Sequence, residues 1–70
     1  MELGNNLRKF RLIDAEMTQQ ELADKIGVSR QTIHAIERSK FNPSIKLSLE
    51  IAHFFGVPVE DIFYLKEEKK

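Results

Sequence analysis

The 70-residue chain has no cysteine and no tryptophan, only three glycines and two prolines, and no excess of either charge. Without cysteine there are no disulfides, no thiolate metal sites and no cysteine nucleophile. Eleven Lys and Arg residues balance eleven Asp and Glu residues, so bulk charge does not announce a polyanionic partner. The longest uncharged run, Ile51 to Val59, is nine residues, too short to span a bilayer or to serve as a signal peptide. The few Gly and Pro, with 41% hydrophobic and 31% charged residues, argue against disorder. A chain this short makes one domain, residues 1–70, and its single core supplies about 3–5 kcal/mol. The reading is a small soluble intracellular domain, for which oligomerisation is the obvious route to extra stability.

The neutral total conceals an uneven distribution. Between Arg30 and Lys46 four basic residues stand against Glu37 alone, a net +3; between Leu47 and Glu68 Lys66 stands against five acidic residues, a net −4. Arg8, Lys9 and Arg11 form a further basic group near the start. One face suited to an anion follows from such polarity, although the same charges could simply solvate exposed surfaces.

The punctuation predicts five short helices. Asn5 or Asn6 caps a first helix running to about Asp14, with Leu7, Phe10 and Ile13 on one side. Thr18-Gln19-Gln20-Glu21 is a capping box opening a second helix that turns Leu22, Ala23 and Ile26 inward and stops at Gly27. Ser29 caps a third, to about Arg38, with Ile33 and Ile36 facing the core. Pro43 closes a loop, and Ser44 caps a fourth that buries some of Leu47, Ile51, Ala52 and Phe55 before Gly56. Pro58 suits the first turn of a fifth, where Glu60 and Asp61 complement the helix dipole. The tail from Ile62 to Leu65 either finishes that helix or turns into a strand, which the apolar-polar alternation of Met1-Glu2-Leu3 would let pair with the N-terminus.

The specific signal is residues 19–38. Ala23 is small where two helices approach, Gly27 accepts an unusual backbone dihedral, and Leu22, Ile26, Val28, Ile33 and Ile36 bury the inner faces. This is the helix-turn-helix pattern, whose second helix projects far enough to enter a DNA major groove. The stretches Thr18–Ala23, Gly27–Ile33, Ile36-Glu37, Phe41–Ser44 and Phe55–Phe63 resemble the Cro/CI-type (XRE) helix-turn-helix regulators, and among these the minimal single-domain members. The resemblance implies an all-α, five-helix, lambda-repressor-like domain with a short terminal β ribbon at residues 1–3 and 62–66. It also implies a cytoplasmic, nucleoid-associated repressor that binds double-stranded DNA as a homodimer on a pseudo-palindromic operator, with no cofactor, no metal and no small-molecule ligand.

The resemblance distributes roles as well. Helix three becomes the recognition helix, with Arg30, Gln31, His34 and Ala35 reading bases. Arg pairs with guanine and Gln with adenine, each worth about 1–3 kcal/mol of discrimination. Gln19, Arg11, Arg38, Lys40 and Asn42 become phosphate contacts, which set register and salt dependence without reading sequence. Arg11 also pairs with Glu37. Phe54, Phe63, Tyr64 and Leu65, within a C-terminal tail at residues 62–70, become the dimer contact. The chain departs from the pattern in two places: the loop from Leu12 to Met17 is one residue longer, with Ala15-Glu16 where glycine is usual, and Ser39 replaces a glycine after the recognition helix. If Ser39 is left-handed, that replacement costs up to about 1 kcal/mol.

Two rival classes remain. An enzyme finds little support: two histidines and no glycine-rich phosphate loop assemble no nucleophile, base and orienter, and His53 reads as a packing residue. A protein-interaction module of the same fold, antitoxin-like or coactivator-like, is the stronger rival. Adjacent Phe54 and Phe55 cannot both face one core, and with Tyr64 and Leu65 they suggest an exposed apolar patch.

Overall fold

The computed structural model describes residues 2–67. The elements in order are β1 (Glu2–Asn5), α1 (Leu7–Lys9) continued by a π-helical turn (Phe10–Asp14), α2 (Gln19–Ile26), α3 (Arg30–Glu37), α4 (Ile45–Phe55), α5 (Val59–Ile62) and β2 (Phe63–Lys66). Local chemistry sets most boundaries. The Thr18 hydroxyl accepts the Glu21 N–H at 3.0 Å, while the Glu21 carboxylate accepts the Thr18 N–H at 2.8 Å, so the capping box forms as its spacing requires. Ser29 and Ser44 accept the N–H groups of Thr32 and Leu47 at 3.1 and 3.0 Å. Gly27 and Gly56 end α2 and α4 in the left-handed conformation, with φ of 89° and 70°.

The first helix departs from expectation. The Ala15 N–H donates to the Phe10 carbonyl at 3.0 Å, five residues back. A π turn holds one residue more than an α turn and so takes up a single added residue without breaking the helix. That is where the longer loop goes. The phase of the side chains slips with it: Ile13, expected inward, is 67% exposed, and Arg11 is buried instead. The turn ends at Glu16 with φ of 54°, at the place where a glycine was expected. Asn6 makes no side-chain cap; the Asn5 side chain accepts the Leu7 N–H at 3.1 Å.

The termini pair as an antiparallel ribbon, with Glu2 opposite Lys66, Leu3 opposite Leu65, Gly4 opposite Tyr64 and Asn5 opposite Phe63. Its bounds differ from the expected 1–3 and 62–66. Ile62 closes α5, the first strand reaches Asn5, and Met1 together with residues 68–70 lies outside the described residues. Asn6 locks the ribbon to α5 by donating its backbone N–H to the Ile62 carbonyl at 2.8 Å and its amide to that of Asp61 at 3.1 Å.

The core is drawn from every helix: Leu7, Leu22, Ala23, Ile33, Ile36, Ile51, Ala52, Ile62 and Phe63. Phe63, expected at a dimer contact, is therefore a core residue of this chain. It follows Ile62 directly, and the turn from α5 into β2 leaves both side chains inside.

Candidate nucleic-acid interface

Helices α2 and α3 pack through Leu22, Ala23, Ile33 and Ile36, all at most 1% exposed. With Ile33 and Ile36 committed inward, the 100° spacing of an α-helix sends Arg30, Gln31, His34 and Arg38 outward. All four are exposed, and Ala35 is half-buried at the edge of this face. Lys40 and Asn42, in the loop after α3, are exposed too.

The outward face is held from beneath by one polar cluster. Glu37 at the end of α3 has a side chain only 2% exposed, and that of Arg11 is 8% exposed. The Arg11 guanidinium donates to both carboxylate oxygens, Nε to Oε2 at 2.6 Å and Nη2 to Oε1 at 3.0 Å, and its Nη1 donates to the Met17 carbonyl at 2.9 Å. The expected pair is present and bidentate, the strongest geometry for these groups. Burial also redirects Arg11. Its donors are turned to the protein, and it presents almost no surface to an outside phosphate.

Gln19 is placed more centrally than a lone phosphate contact. Its Nε2 donates to Glu37 Oε1 at 3.1 Å and lies 3.4 Å from His34 Nδ1, while its Oε1 accepts from Arg30 Nη1 at 3.4 Å. One amide thus touches two of the proposed base readers and the buried carboxylate that anchors their helix. It borders a cleft of about 580 Å³ with Arg30 and Thr18 on its wall, beside the first turn of α2, where backbone N–H groups lack intrahelical partners and favour an anion.

Two further contacts anchor the end of α3, and the sequence reading singled out only the second. The Asn5 amide donates to the Ile36 carbonyl at 2.8 Å, 31 residues away, and so satisfies a carbonyl in the last turn of α3. Ser39 has φ of 58°, and its N–H donates to the same carbonyl at 3.0 Å while Lys40 donates to Ala35 at 2.8 Å. This C-terminal cap directs Lys40 and the following loop back along the helix. Nothing local marks Asn5 for that role; Ser39 was marked by its position after the helix.

A family-level sequence profile described as helix-turn-helix matches residues 7–62, most of the chain. The chain belongs to the helix-turn-helix family. An uncharacterized HTH-type transcriptional regulator of Methanocaldococcus jannaschii is 51% identical over 67 residues, covering 96% of this chain and all of that one. The immunity repressor protein of Bacillus phage phi105 is 32% identical over 73 residues, and this chain spans half its length. Among solved structures, the hypothetical transcription factor NHTF from Neisseria superposes with a TM-score of 0.71 at 30% identity, over 80% of this chain and 63% of that one. This helix-turn-helix chain is a transcriptional regulator of the XRE type with a DNA-binding domain. Among its described residues no group of His, Asp and Glu could hold a metal ion, and no helix is long and apolar enough to cross a membrane.

The four residues expected at a dimer contact do not form one patch. Phe63 is buried. Tyr64 faces the opposite side of the ribbon from Leu65, because successive strand residues alternate. Its ring lies over Gly4, where an added Cβ would stand 2.6 Å from Tyr64 Cε1. Phe54 stacks edge-on to Phe55 with centroids 5.1 Å apart and lies about 140° around α4 from Leu49.

Proposed function

We propose that this helix-turn-helix regulator is a cytoplasmic repressor that binds a pseudo-palindromic operator in double-stranded DNA as a homodimer. The observation that carries the reading is the outward face of α3. Three side chains with base-reading chemistry, Arg30, Gln31 and His34, are exposed on a helix anchored by Arg11, Gln19 and Asn5. Pre-organised readers lose less conformational freedom on binding, which favours discrimination over loose association. Arg30 and Gln31 stand at the N-terminal end, which enters the groove first in this motif. His34 and Ala35 follow along the face, and Ala35 offers its methyl to a thymine methyl.

Gln19, Arg38, Lys40 and Asn42 then contact phosphates on either side. Arg11 acts one step removed, by holding Glu37, which in turn holds Gln19. A repressor needs nothing beyond occupancy, since a bound dimer excludes polymerase from an overlapping promoter. The repressor name of the phage relative supports that mode.

Selection from a random duplex pool at about 150 mM salt, where nonspecific phosphate binding is weak, tests the reading. An enriched inverted repeat with half-sites about 10 bp apart is the expected result. Folded protein that enriches no sequence would overturn it in favour of a protein-interaction module.

A further inference from the structure

One apolar surface lies away from the outward face of α3 and from Phe54 and Tyr64. Ile45, the first residue of α4, is 81% exposed, Leu49 one turn later is 53% exposed, and Leu65 on β2 is 64% exposed. Ile45 and Leu49 share one edge of α4 because they are four residues apart. They border a groove whose other wall is Leu3, Val59, Phe63 and Pro43. Leu65 pairs with Leu3 across the ribbon, so its side chain stands on the same face as theirs. A 70-residue chain that leaves two large aliphatic side chains of one helix more than half bare, beside a groove of its own core residues, has an unfilled contact there.

We propose that a second copy of this chain docks on this groove, with α4 running antiparallel to its partner's α4 across a two-fold axis. The inference rests on the homodimer reading and adds the face and the geometry. Charge selects a copy of the chain as occupant. Lys46 and Glu50 flank the Ile45–Leu49 edge, with side chains 86% and 50% exposed, and stand 3.9 Å apart. In an isologous contact residue i meets j while j meets i. An antiparallel pairing centred near Ser48 brings Lys46 of each protomer toward Glu50 of the other, whereas a parallel one would set like charge on like. The helix dipoles also oppose favourably when antiparallel.

Position agrees with the reading of DNA. Pro43 lines the groove and follows Lys40 and Asn42 in the same loop. A two-fold axis at this face therefore brings the two loops that follow the recognition helices toward each other, so that adjacent half-sites are addressed from one side.

Sedimentation of fluorescently labelled full-length chain over a dilution series tests the proposal. Wild type should dimerise. Ile45→Glu should raise the dimer dissociation constant by about 100-fold or more, because an isologous contact counts each substitution twice. Its helical circular dichroism should stay unchanged, since Ile45 is already exposed and Glu suits a first turn. Tyr64→Asp and Phe54→Ser should leave dimerisation within about threefold. Lys46→Glu and Glu50→Lys should each weaken the dimer, and the double exchange should restore it. A wild-type dimer that survives Ile45→Glu and Leu49→Glu, or that Tyr64→Asp dissociates, overturns the face. Failure of the double exchange to restore the dimer overturns the antiparallel arrangement. A wild type that stays monomeric at about 0.1 mM, above micromolar affinity, overturns the homodimer reading itself.

Discussion

Removal of the Glu37 carboxylate is expected to unfold this protein near physiological temperature, and the magnitude follows from the cluster. Glu37 accepts three hydrogen bonds, two from Arg11 and one from Gln19, at 2.6, 3.0 and 3.1 Å. Both charged side chains are at most 8% exposed. Glu37→Ala leaves a buried guanidinium with the Met17 carbonyl as its remaining partner. Breaking one side of a buried pair costs about 3–5 kcal/mol. A chain of this length has about 3.5–10 kcal/mol in total. At about 4–8 °C per kcal/mol for a domain of this size, the midpoint should fall by about 12–40 °C. Arg11→Met should cost a similar amount, because it strands the carboxylate with Gln19 alone. The double variant Arg11→Met with Glu37→Met should lie within about 1 kcal/mol of wild type, since an apolar pair of similar volume removes both desolvation penalties. Urea unfolding followed by far-UV circular dichroism, at one fixed protein concentration to hold dimerisation constant, measures all three. A loss below about 1 kcal/mol in Glu37→Ala, or a double variant as unstable as the sum of the singles, would refute the reasoning.

Three further outcomes can be checked separately. Ser39→Gly should raise stability by up to about 1 kcal/mol, because Ser39 sits at φ of 58° where glycine is unstrained; Glu16→Gly, at φ of 54°, should gain about as much, and no gain in thermal melting of either would contradict the strain. Gly4→Ala should destabilise by about 1–3 kcal/mol, because its Cβ would stand 2.6 Å from the Tyr64 ring and 2.9 Å from Lys66 Cε; Tyr64→Ala in the same chain should recover part of the loss in the same melt. Gln31→Ala should relax preference at one base pair of each half-site by about 1–3 kcal/mol, whereas Lys40→Ala should weaken binding to all duplexes alike. With Arg38 and Lys40 as the cationic phosphate contacts of each protomer, the slope of log affinity on log salt should be about −3.6, falling to about −1.8 in Lys40→Ala; an unchanged slope would remove Lys40 from the backbone contacts.

The parts of this fold legible in the sequence are those settled within one helical turn. Thr18 and Glu21 are three residues apart, so their reciprocal cap needs no knowledge of the rest of the chain, and the same holds for Ser29, Ser44, Gly27 and Gly56. The outward face of α3 was legible because Ile33 and Ile36, turned inward, leave Arg30, Gln31 and His34 exposed. The illegible parts depend on distant partners. Asn5 reads as a helix cap until the ribbon carries it to Ile36. Ile13 reads as inward while a period of 3.6 is assumed, and one π turn moves it out. Helix α4 contains Ile45, Leu47, Leu49, Ile51, Phe54 and Phe55, more apolar residues than one face can bury. Periodicity therefore did not say which would be left bare: Ile45 and Leu49 were given no role, and the interface was read as Phe54, Phe63, Tyr64 and Leu65, of which Phe63 is buried.

The neutral composition does not count against a DNA partner once the charges are located. The Arg11–Glu37 pair cancels inside the protein, and Lys46 and Glu50 cancel along one edge of α4. Glu60 and Asp61 stand in the first turn of α5, where the helix dipole favours them. With Glu37 neutralised by Arg11, the surface of α3 and its following loop carries Arg30, Arg38 and Lys40 with no opposing carboxylate of its own. An anion approaching that face within a Debye length of about 8–10 Å meets these charges and not the molecular total. Local field, rather than net charge, governs such an encounter.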